Sequence, residues 1–445
     1  MIRILRGRVL TFLAEPQGPN DHASYRYIED GAVVIRDGKI VMIGEWSPER
    51  ANAPGHEVID HRPNLILPGL IDCHIHYPQM QVVGSYAAAL LEWLDTYTFP
   101  EESRFRDPAY AGRIASAFFD ELIRHGTTTA ATFCTTHPSS VDAFFSEAAR
   151  RNMLMLGGKM MMDRNAPEGL LDTPQSSYDD SKALLAKWHG KGRARYVISP
   201  RFAITSTPAQ MEVAETLARE HPDVHIQTHT SENLAEVEYA RELYPNLPDY
   251  VGIYERYHLL GPRTLLGHCI HLSHRETEVI AETGSVAVFC PTSNMFIGSG
   301  LFDYERLHKH GVRIAVATDI GGGTSYSMLK TLDEGYKVLQ LRGQRLNPLQ
   351  SFFMMTLGNA RALSLEGTIG SLVRGADADL VVLNSRATPR MAMRMQAAKS
   401  LVEELFVLQT CGDDRAVAET YVAGEPMKSR LEDDVPPPSG STGSS

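Results

Sequence analysis

Eight short apolar runs, each followed by a polar turn and a stretch of helical periodicity, recur between residues 64 and 365. This alternation predicts an α/β domain. Nearly all the runs are apolar on both faces, which suits strands that are covered on both sides. Eight such strands favour a closed, TIM-like (β/α)8 barrel with a helical jacket over an open sheet. The runs are NLILPGLIDCHIH, GTTTAATF, MLMLGGKMMM, ARYVISPRF, VHIQTHTSE, TLLGHCIHL, SVAVFCP and RIAVATDI.

Two segments that follow predicted strands carry helix-start signals. Thr207 precedes Pro208 and Gln210, and Ser273 precedes Glu276. Both spacings are typical of a capping box. They place helix starts where a strand-to-helix turn should end, as the barrel requires.

The flanks have a different pattern. Residues 1–63 and 366–428 contain alternating strand-like runs and Gly/Asp turns without long helices. Neither flank has enough apolar surface to fold alone, so we expect them to form one composite β-sandwich beside the barrel of residues 64–365. The last segment, 429–445, is rich in proline and serine, and we expect a disordered tail there.

Composition excludes several classes of protein. The 445 residues include 43 Lys plus Arg and 54 Asp plus Glu, a net charge of −11, which disfavours nucleic acid as a partner. No stretch approaches the roughly 20 apolar residues of a membrane span, and the amino terminus lacks a secretion-signal pattern, so we expect a cytoplasmic protein. Five scattered cysteines without a CxxC pair predict free thiols.

The pair His74 and His76 ends the first predicted strand, where residues two apart share a face. Two imidazoles on an apolar strand need partners for their ring nitrogens, and a metal ion is one solution. A structural role in the core is the alternative for this pair. A second pair, His308 and His310, lies in a polar helical segment, and we interpret it as a solvated helix face.

Other titratable residues fall at the ends of later strands. His229 ends the fifth, His268 lies in the sixth and Asp319 ends the eighth. In a parallel barrel these ends open at one rim, where barrel enzymes place their chemistry. Three imidazoles, a carboxylate and a water make a plausible catalytic metal sphere. The competing interpretation is a set of isolated core histidines and an Asp that caps a helix.

Two further side chains near these strand ends have two interpretations each. Glu232 is either a general acid/base beside the metal or a first-turn helix residue that favours the helix dipole. Lys159 on the third strand is either a lysine whose stem packs in the core, which we favour, or a modified ligand of a second metal.

Several stretches resemble the amidohydrolase superfamily and, within it, the guanine deaminase family. The likeness spans nearly the whole barrel and, more weakly, the flanks. The His and Asp set is shared by many hydrolases, whereas the HYPQ, EWLDTYTFP and PRF stretches are more specific. The matching stretches are LPGLIDCHIHYPQ, LLEWLDTYTFPEE, GTTTAATF, PRF, HTSEN, GHCIHL and ATDIGGGTSYSM.

The resemblance implies a zinc-dependent, homodimeric enzyme of purine catabolism that hydrolyses guanine to xanthine and ammonia with one Zn²⁺ per subunit. It implies that Glu232 shuttles protons and that His268 hydrogen-bonds the attacking water, with Asp319 also catalytic. The implied metal ligands are His74, His76, His229 and Asp319.

The same likeness implies that Gln79, Arg201 and Phe202 contact guanine. A guanidinium offers a fork of donors to the acceptors O6 and N7 of guanine, which suits Arg201. Trp93 or Phe99 are further candidates to cover the ring. The metal ligands His76 and His229 are also expected to face the purine.

Two other functions remain open at the level of sequence. One is a related hydrolysis on the same scaffold, acting on 8-oxoguanine, a pterin or a triazine. The other is a non-catalytic scaffold protein that keeps the same barrel fold. Such a protein would have no chemical need for the full set of metal ligands.

Overall fold

The structure is a computed structural model that describes residues 2–51, 53–86 and 90–433. Strands in this part of the chain form two sheets, one from the middle of the sequence and one from its two ends. The strands are β1 (Ile2–Phe12), β2 (Tyr25–Arg36), β3 (Lys39–Glu45), β4 (His56–Pro68), β5 (Leu70–His76), β6 (Thr127–Phe133), β7 (Leu154–Gly158), β8 (Met160–Met161), β9 (Ala194–Pro200), β10 (His225–Thr230), β11 (Thr264–His268), β12 (Val286–Phe289), β13 (Arg313–Val316), β14 (Leu380–Leu383), β15 (Val417–Val422) and β16 (Glu425–Pro426).

The central sheet is the predicted barrel. Its strands run β5-β6-β7-β9-β10-β11-β12-β13, all in parallel ladders, and the short β8 also pairs with β9. Two backbone hydrogen bonds join the last edge to the first: Asp319 N donates to His74 O at 2.9 Å, and His76 N donates to Ile320 O at 2.7 Å. The expectation of a (β/α)8 barrel is therefore confirmed.

The first apolar run, 64–76, is not one strand. It divides at Gly69, so that β4 belongs to the terminal sheet and only β5 belongs to the barrel. A Cβ at Gly69 would lie 2.1 Å from Thr128 Oγ1, so glycine is needed where the chain passes the barrel wall. The division explains why the run is apolar along its whole length, since it crosses two cores.

The helices cover the outside of the barrel. Between the longer helices, five-residue π-helical segments occupy Leu94–Thr98 and Met354–Gly358. The α-helices are α1 (Pro48–Ala51), α2 (Leu90–Trp93), α3 (Phe99–Ser103), α4 (Pro108–Arg124), α5 (Pro138–Arg150), α6 (Pro174–Trp188), α7 (Pro208–Glu220), α8 (Leu234–Leu243), α9 (Tyr250–Arg256), α10 (His274–Thr283), α11 (Pro291–Phe296), α12 (Tyr304–Lys309), α13 (Met328–Leu341), α14 (Pro348–Phe353), α15 (Asn359–Ala362), α16 (Pro389–Met395), α17 (Leu401–Cys411) and α18 (Lys428–Asp433).

The two predicted capping boxes differ in the structure, since only one of them is complete. Ser273 and Glu276 form a complete capping box at the start of α10. Thr207 caps α7 by accepting from the backbone N–H of Gln210, but the Gln210 side chain does not complete a box. Instead its Nε2 donates to Ser177 Oγ at 2.9 Å, because this side chain is buried against a neighbouring helix.

The ends of the chain form one seven-stranded sheet in the order β16-β15-β14-β4-β1-β2-β3. The sheet curls until β3 meets the segment that leads into β14, where Ile40 exchanges backbone hydrogen bonds with Gly375 and Ala376. An apolar core that includes Leu5, Val33 and Leu380 lies inside the curl. The two flanks therefore depend on each other for burial, as expected from their composition.

Three details at the chain's carboxyl end differ from expectation or lie beyond it. The segment 366–428 was expected to have strands without long helices, but it contains helix α16 and the 11-residue helix α17, whose apolar residues include the buried Leu405 and Leu408. Residues 429–433, assigned to a disordered tail, belong to helix α18, and Leu431 packs against the main core. The rest of that tail, 434–445, lies outside the described residues. Within the described ranges, no helix has the length and apolar character needed to cross a membrane.

Candidate active site

The carboxyl ends of four barrel strands bring five side chains together, of which His229 is half-buried and the other four are buried. His76 Nε2 lies 3.1 Å from His229 Nε2. Asp319 Oδ1 lies 3.4 Å from His74 Nε2 and 3.5 Å from His76 Nε2. The convergence follows from the fold, since parallel barrel strands end at a common rim. The five are His74, His76, His229, His268 and Asp319.

The imidazole nitrogens have the free lone pairs that a metal ion needs. His229 Nδ1 donates to the carbonyl oxygen of Arg201 at 2.7 Å, which leaves a lone pair on Nε2 directed at His76. Both ring nitrogens of His74, and Nδ1 of His76, are buried without a hydrogen-bond partner among the described residues. An imidazole binds an ion through one ring nitrogen, and the Nε2 atoms of His74, His76 and His229 lie near one point together with Asp319, so the residues fit a divalent metal.

Electrostatics favour the same protonation states that a metal requires. Burial, together with the neighbouring imidazoles, holds the pKa values of His76 and His229 well below their usual range. Burial alone would raise the pKa of Asp319, but His74 and His268 outweigh it and the pKa is lowered. These pKa shifts favour neutral His76 and His229 and an ionised Asp319, which are the metal-binding forms.

His268 is oriented as a hydrogen-bond donor toward the centre of the site. Asn294 Nδ2 donates to its Nδ1 at 3.0 Å, which places the imidazole proton on Nε2. That Nε2 faces two acceptors, Glu232 Oε2 at 3.3 Å and Asp319 Oδ2 at 3.9 Å. Burial lowers the pKa of His268 to about 3, so the ring is neutral. The ring suits the stabilisation of an oxygen atom in the cavity.

Glu232 is a buried carboxyl group beside this centre. It precedes helix α8, whose N-cap is Asn233 and whose capping box uses Glu236, so the interpretation of Glu232 as a first-turn helix residue is wrong. Burial, followed by the nearby Glu236 and Asp319, raises its pKa well above the usual range. Ser299 Oγ donates to its Oε1 at 2.7 Å. These surroundings favour the protonated form of Glu232, which is the form that donates a proton.

The opposite wall of the cavity carries donors that suit an aromatic heterocycle. Gln79, Trp93, Arg201 and Phe202 line the same cavity as the metal-type cluster. Phe99 does not line this cavity; its ring lies beneath the guanidinium of Arg201, with 5.1 Å from the guanidinium carbon to the ring centre. The predicted substrate contacts therefore share one cavity with the predicted metal ligands His76, His229 and Asp319. Phe99 supports Arg201 instead.

The three remaining candidates, one lysine and two histidines, lie elsewhere. Lys159 is fully buried and pairs with Asp172, so it neither extends its charged end to solvent nor joins the metal-type cluster. His308 and His310 are exposed at the end of helix α12, as predicted.

Sequence reasoning missed three side chains that touch the site. Glu102 contacts two predicted substrate residues, Asn294 orients His268, and Ser299 bonds to Glu232. Glu102 stood inside a stretch that carried the resemblance, but its spacing gave no sign of its contacts. Cys290 is also close, with its sulfur within 4.8 Å of ligand atoms of His268 and Asp319.

Comparison with known proteins identifies a family. Residues 65–427 match the amidohydrolase family. The chain is 45% identical to the guanine deaminase of Escherichia coli strain K12 over 425 residues, which cover 95% of this chain and 97% of that protein.

Solved structures agree with the sequence match. The E. coli guanine deaminase structure superposes with a TM-score of 0.93 and covers 96% of this chain and 99% of its own. Guanine deaminase from Bradyrhizobium japonicum has a TM-score of 0.92 at 36% identity, with 96% and 99% of the two chains covered. Guanine deaminase from C. acetobutylicum with bound guanine has a TM-score of 0.87 at 28% identity, covering 96% and 100%.

Proposed function

This chain belongs to the amidohydrolase family and, within it, to the guanine deaminases, and from that membership we propose that it hydrolyses guanine to xanthine and ammonia in purine catabolism. One observation carries the proposal: a cluster of imidazoles and a carboxylate suited to a metal shares its cavity with a guanidinium and an amide suited to a purine edge. Neither the metal-type cluster nor the donors for the purine edge would specify this reaction alone.

We propose that the metal is a single Zn²⁺. Neutral imidazoles and a carboxylate are common zinc ligands, and a catalytic zinc keeps one position free for water. The proposed ligands are supported by the short separations of their donor atoms and by the orphaned ring nitrogens. They are His74, His76, His229 and Asp319.

The reaction adds water to C2 of guanine and expels the amino group as ammonia. A bound divalent metal makes water a usable nucleophile near neutral pH. Asp319, held ionised, accepts a proton from the attacking water and passes it to the amino group, which leaves as ammonia. Glu232, held protonated by its buried surroundings, donates to N3 so that negative charge does not build up on the ring, and it regains a proton from the new hydroxyl on C2 as the carbonyl of xanthine forms. His268 donates from Nε2 to the attacking oxygen.

Arg201 and Gln79 supply the selection of guanine. A guanidinium donates to the acceptors O6 and N7 of guanine, and the Gln79 amide reads the neighbouring N1–H edge. Phe202 and Trp93 cover the ring within the cavity. Adenine would place an amino group against Arg201, donor against donor, and would leave buried groups unpaired.

Steady-state rates with four substrates test this function. Guanine should be turned over with a kcat/KM far above those for 8-oxoguanine, isoxanthopterin and a chlorotriazine. Negligible turnover of guanine beside one fast competitor would assign the site to that competitor's reaction instead.

A non-catalytic scaffold is the alternative from another class. The relatives in the comparison are enzymes, and the complete cluster of ligands and proton-transfer groups supports catalysis. Elemental analysis of the purified protein separates the two: about one zinc per chain supports the enzyme, whereas a metal-free protein that stays inactive after zinc addition supports the scaffold.

We further propose a cytoplasmic homodimer that contains two units, the barrel of 64–365 and the composite sandwich of 1–63 and 366–428. The dimer rests on the family resemblance, and the location rests on the sequence. The boundary at 64 lies within β4, which continues to Pro68. Light scattering during size-exclusion chromatography tests the dimer, and a monomer mass at micromolar concentration would refute it.

A further inference from the structure

Glu102 is a fully buried carboxylate on the short helix α3, far in sequence from the strands that build the site. A buried carboxylate is costly unless its oxygens are paired. Both of its oxygens have partners, and both partners are proposed purine contacts. Glu102 Oε1 accepts from Gln79 Nε2 at 2.9 Å, and Oε2 accepts from Arg201 Nη1 at 2.7 Å.

These hydrogen bonds fix the orientation of the Gln79 and Arg201 side chains. The amide of Gln79 is held from both ends, because its Oε1 also accepts the backbone N–H of Gly321 at 3.1 Å. Arg201 is held by Glu102 in apolar surroundings, with Met160 Sδ at 3.0 Å from Nη1 and the Phe99 ring beneath the guanidinium. One carboxylate therefore decides which atoms of both side chains remain for a ligand.

Glu102 also sets the net charge of the purine wall, by which we mean the part of the cavity lined by Gln79 and Arg201. Arginine stays protonated when buried, so without a counter-charge the wall would carry a full positive charge. The ion pair with Glu102 removes that net charge. This matters because guanine is neutral, whereas its product xanthine is the more acidic purine and becomes an anion at alkaline pH. An unbalanced arginine would hold the anionic product.

We propose that Glu102 is the positioning residue of the purine wall: it orients Gln79 and Arg201 together and, by balancing the arginine, sets the preference of the cavity for neutral guanine over anionic xanthine. The inference rests on the proposed guanine deaminase activity. Glu102 acts through its two partners and does not itself take part in the hydrolysis.

Glu102→Gln tests both parts of the proposal. Gln79 and Arg201 donate to different oxygens of Glu102, and the amide replaces one of these oxygens with an NH2 group, so one of the two donors then faces another donor. We expect kcat/KM for guanine to fall by roughly 10-fold or more, through a raised KM, with zinc content unchanged.

Inhibition by xanthine and hypoxanthine at alkaline pH isolates the charge effect. Hypoxanthine shares O6 and N7 with xanthine but is the less acidic purine, so it reports on positioning with less influence of charge. In Glu102→Gln the ratio of Ki for xanthine to Ki for hypoxanthine should fall several-fold, because the unbalanced guanidinium attracts the anion. A loss of packing alone would weaken both purines and leave the ratio unchanged.

Glu101→Gln is the matched control. Glu101 is the adjacent carboxylate on α3, and its partners are Arg104 and Tyr110. This variant should keep the wild-type kcat/KM and the wild-type ratio. Glu102→Asp serves as the second variant if Glu102→Gln does not fold. It retains the charge at a shorter reach, so kcat/KM should fall while the ratio stays.

These experiments distinguish a failure of the proposed function from a failure of the role proposed for Glu102. A wild-type protein that does not turn over guanine overturns the proposed function. A wild-type protein that does so, beside folded Glu102 variants that match Glu101→Gln in kcat/KM and in the Ki ratio, overturns only the role of Glu102.

Discussion

Glu232 has a protonation state that its surroundings determine. Its carboxyl group is buried near two other carboxyl groups, which favours the protonated form. Glu232→Gln keeps the size and the bond from Ser299 but removes the transferable proton. We expect kcat to fall by about 100-fold or more, with zinc content and KM little changed.

Steady-state kinetics beside elemental analysis measure this effect. Glu238→Gln is a suitable control, since Glu238 lies on α8, is more than half exposed and pairs with Arg241 at the surface. Near-normal turnover by Glu232→Gln would remove Glu232 from the mechanism.

A test of Arg201 requires a substitution that keeps a positive charge beside Glu102. Arg201→Ala would leave the buried Glu102 carboxylate without its counter-charge, so stability would fall along with activity. Arg201→Lys keeps the positive charge for Glu102 but loses the planar fork of donors. We expect kcat/KM for guanine to fall by roughly 10- to 100-fold, which corresponds to about 1.5–3 kcal/mol for a charged hydrogen bond.

The control for this substitution lies at the other end of the same strand. Arg195→Lys changes a guanidinium that donates to the carbonyl oxygen of Ala194, away from the cavity. Equal kcat/KM in Arg201→Lys and Arg195→Lys would show that another group reads the purine.

Residues differ in how far sequence could place them. His74, His76, His229 and Asp319 were predictable as a group because each follows an apolar strand, and parallel barrel strands end at one rim. Glu102 was not predictable in the same way. Its contacts depend on the path of the segment after β5, which no local pattern encodes.

At the level of elements, the spacing of β5 and β11 depends on Gly267. A Cβ at this position would lie 2.6 Å from His74 Cε1, closer than side chains pack. Gly267→Ala should therefore displace the His74 ring, lower zinc affinity by about 10-fold or more and cost about 1–3 kcal/mol of stability through overpacking.

Metal titration and thermal unfolding test this prediction. Gly261→Ala is the matched control, because a Cβ there has open space within 4 Å. A Gly267→Ala protein with wild-type zinc affinity would show that His74 does not depend on this close approach, and would weaken its assignment as a ligand.

Element boundaries show a second limit of sequence reasoning. The run 64–76 was assigned to one strand because its apolar character does not change along its length, yet it serves two sheets. Only the close approach of Gly69 to Thr128 requires the division, and that contact is tertiary. Strand type was therefore predictable, whereas the sheet to which each half belongs was not.

At the scale of the whole molecule, a buried ion cluster ties the barrel to the terminal sheet. Arg193, just before β9, donates to Asp377 Oδ2 at 2.9 Å and also pairs with Asp379, whose side chain is 2% exposed. Arg193→Met should cost about 3 kcal/mol in the free energy of unfolding, because it leaves the buried Asp379 carboxylate without its counter-charge, whereas Asp377 keeps its pair with Lys39.

This change should leave kcat/KM for guanine near the wild-type value, since Arg193 lies at the amino ends of the strands, away from the site. Urea unfolding and steady-state kinetics measure the two quantities. Arg195→Met provides the comparison. Unchanged stability in Arg193→Met would mean that the sheet is not fastened to the barrel at this point.

We propose that one metal ion joins four side chains that are far apart in sequence. Crystals of the purified protein, measured at the zinc absorption edge, would locate this ion. We predict a single anomalous peak within about 2.0–2.2 Å of a ring nitrogen of His74, His76 and His229 and of a carboxylate oxygen of Asp319. The contradicting result is a protein that turns over guanine at full rate while its crystals show no anomalous peak among these four residues.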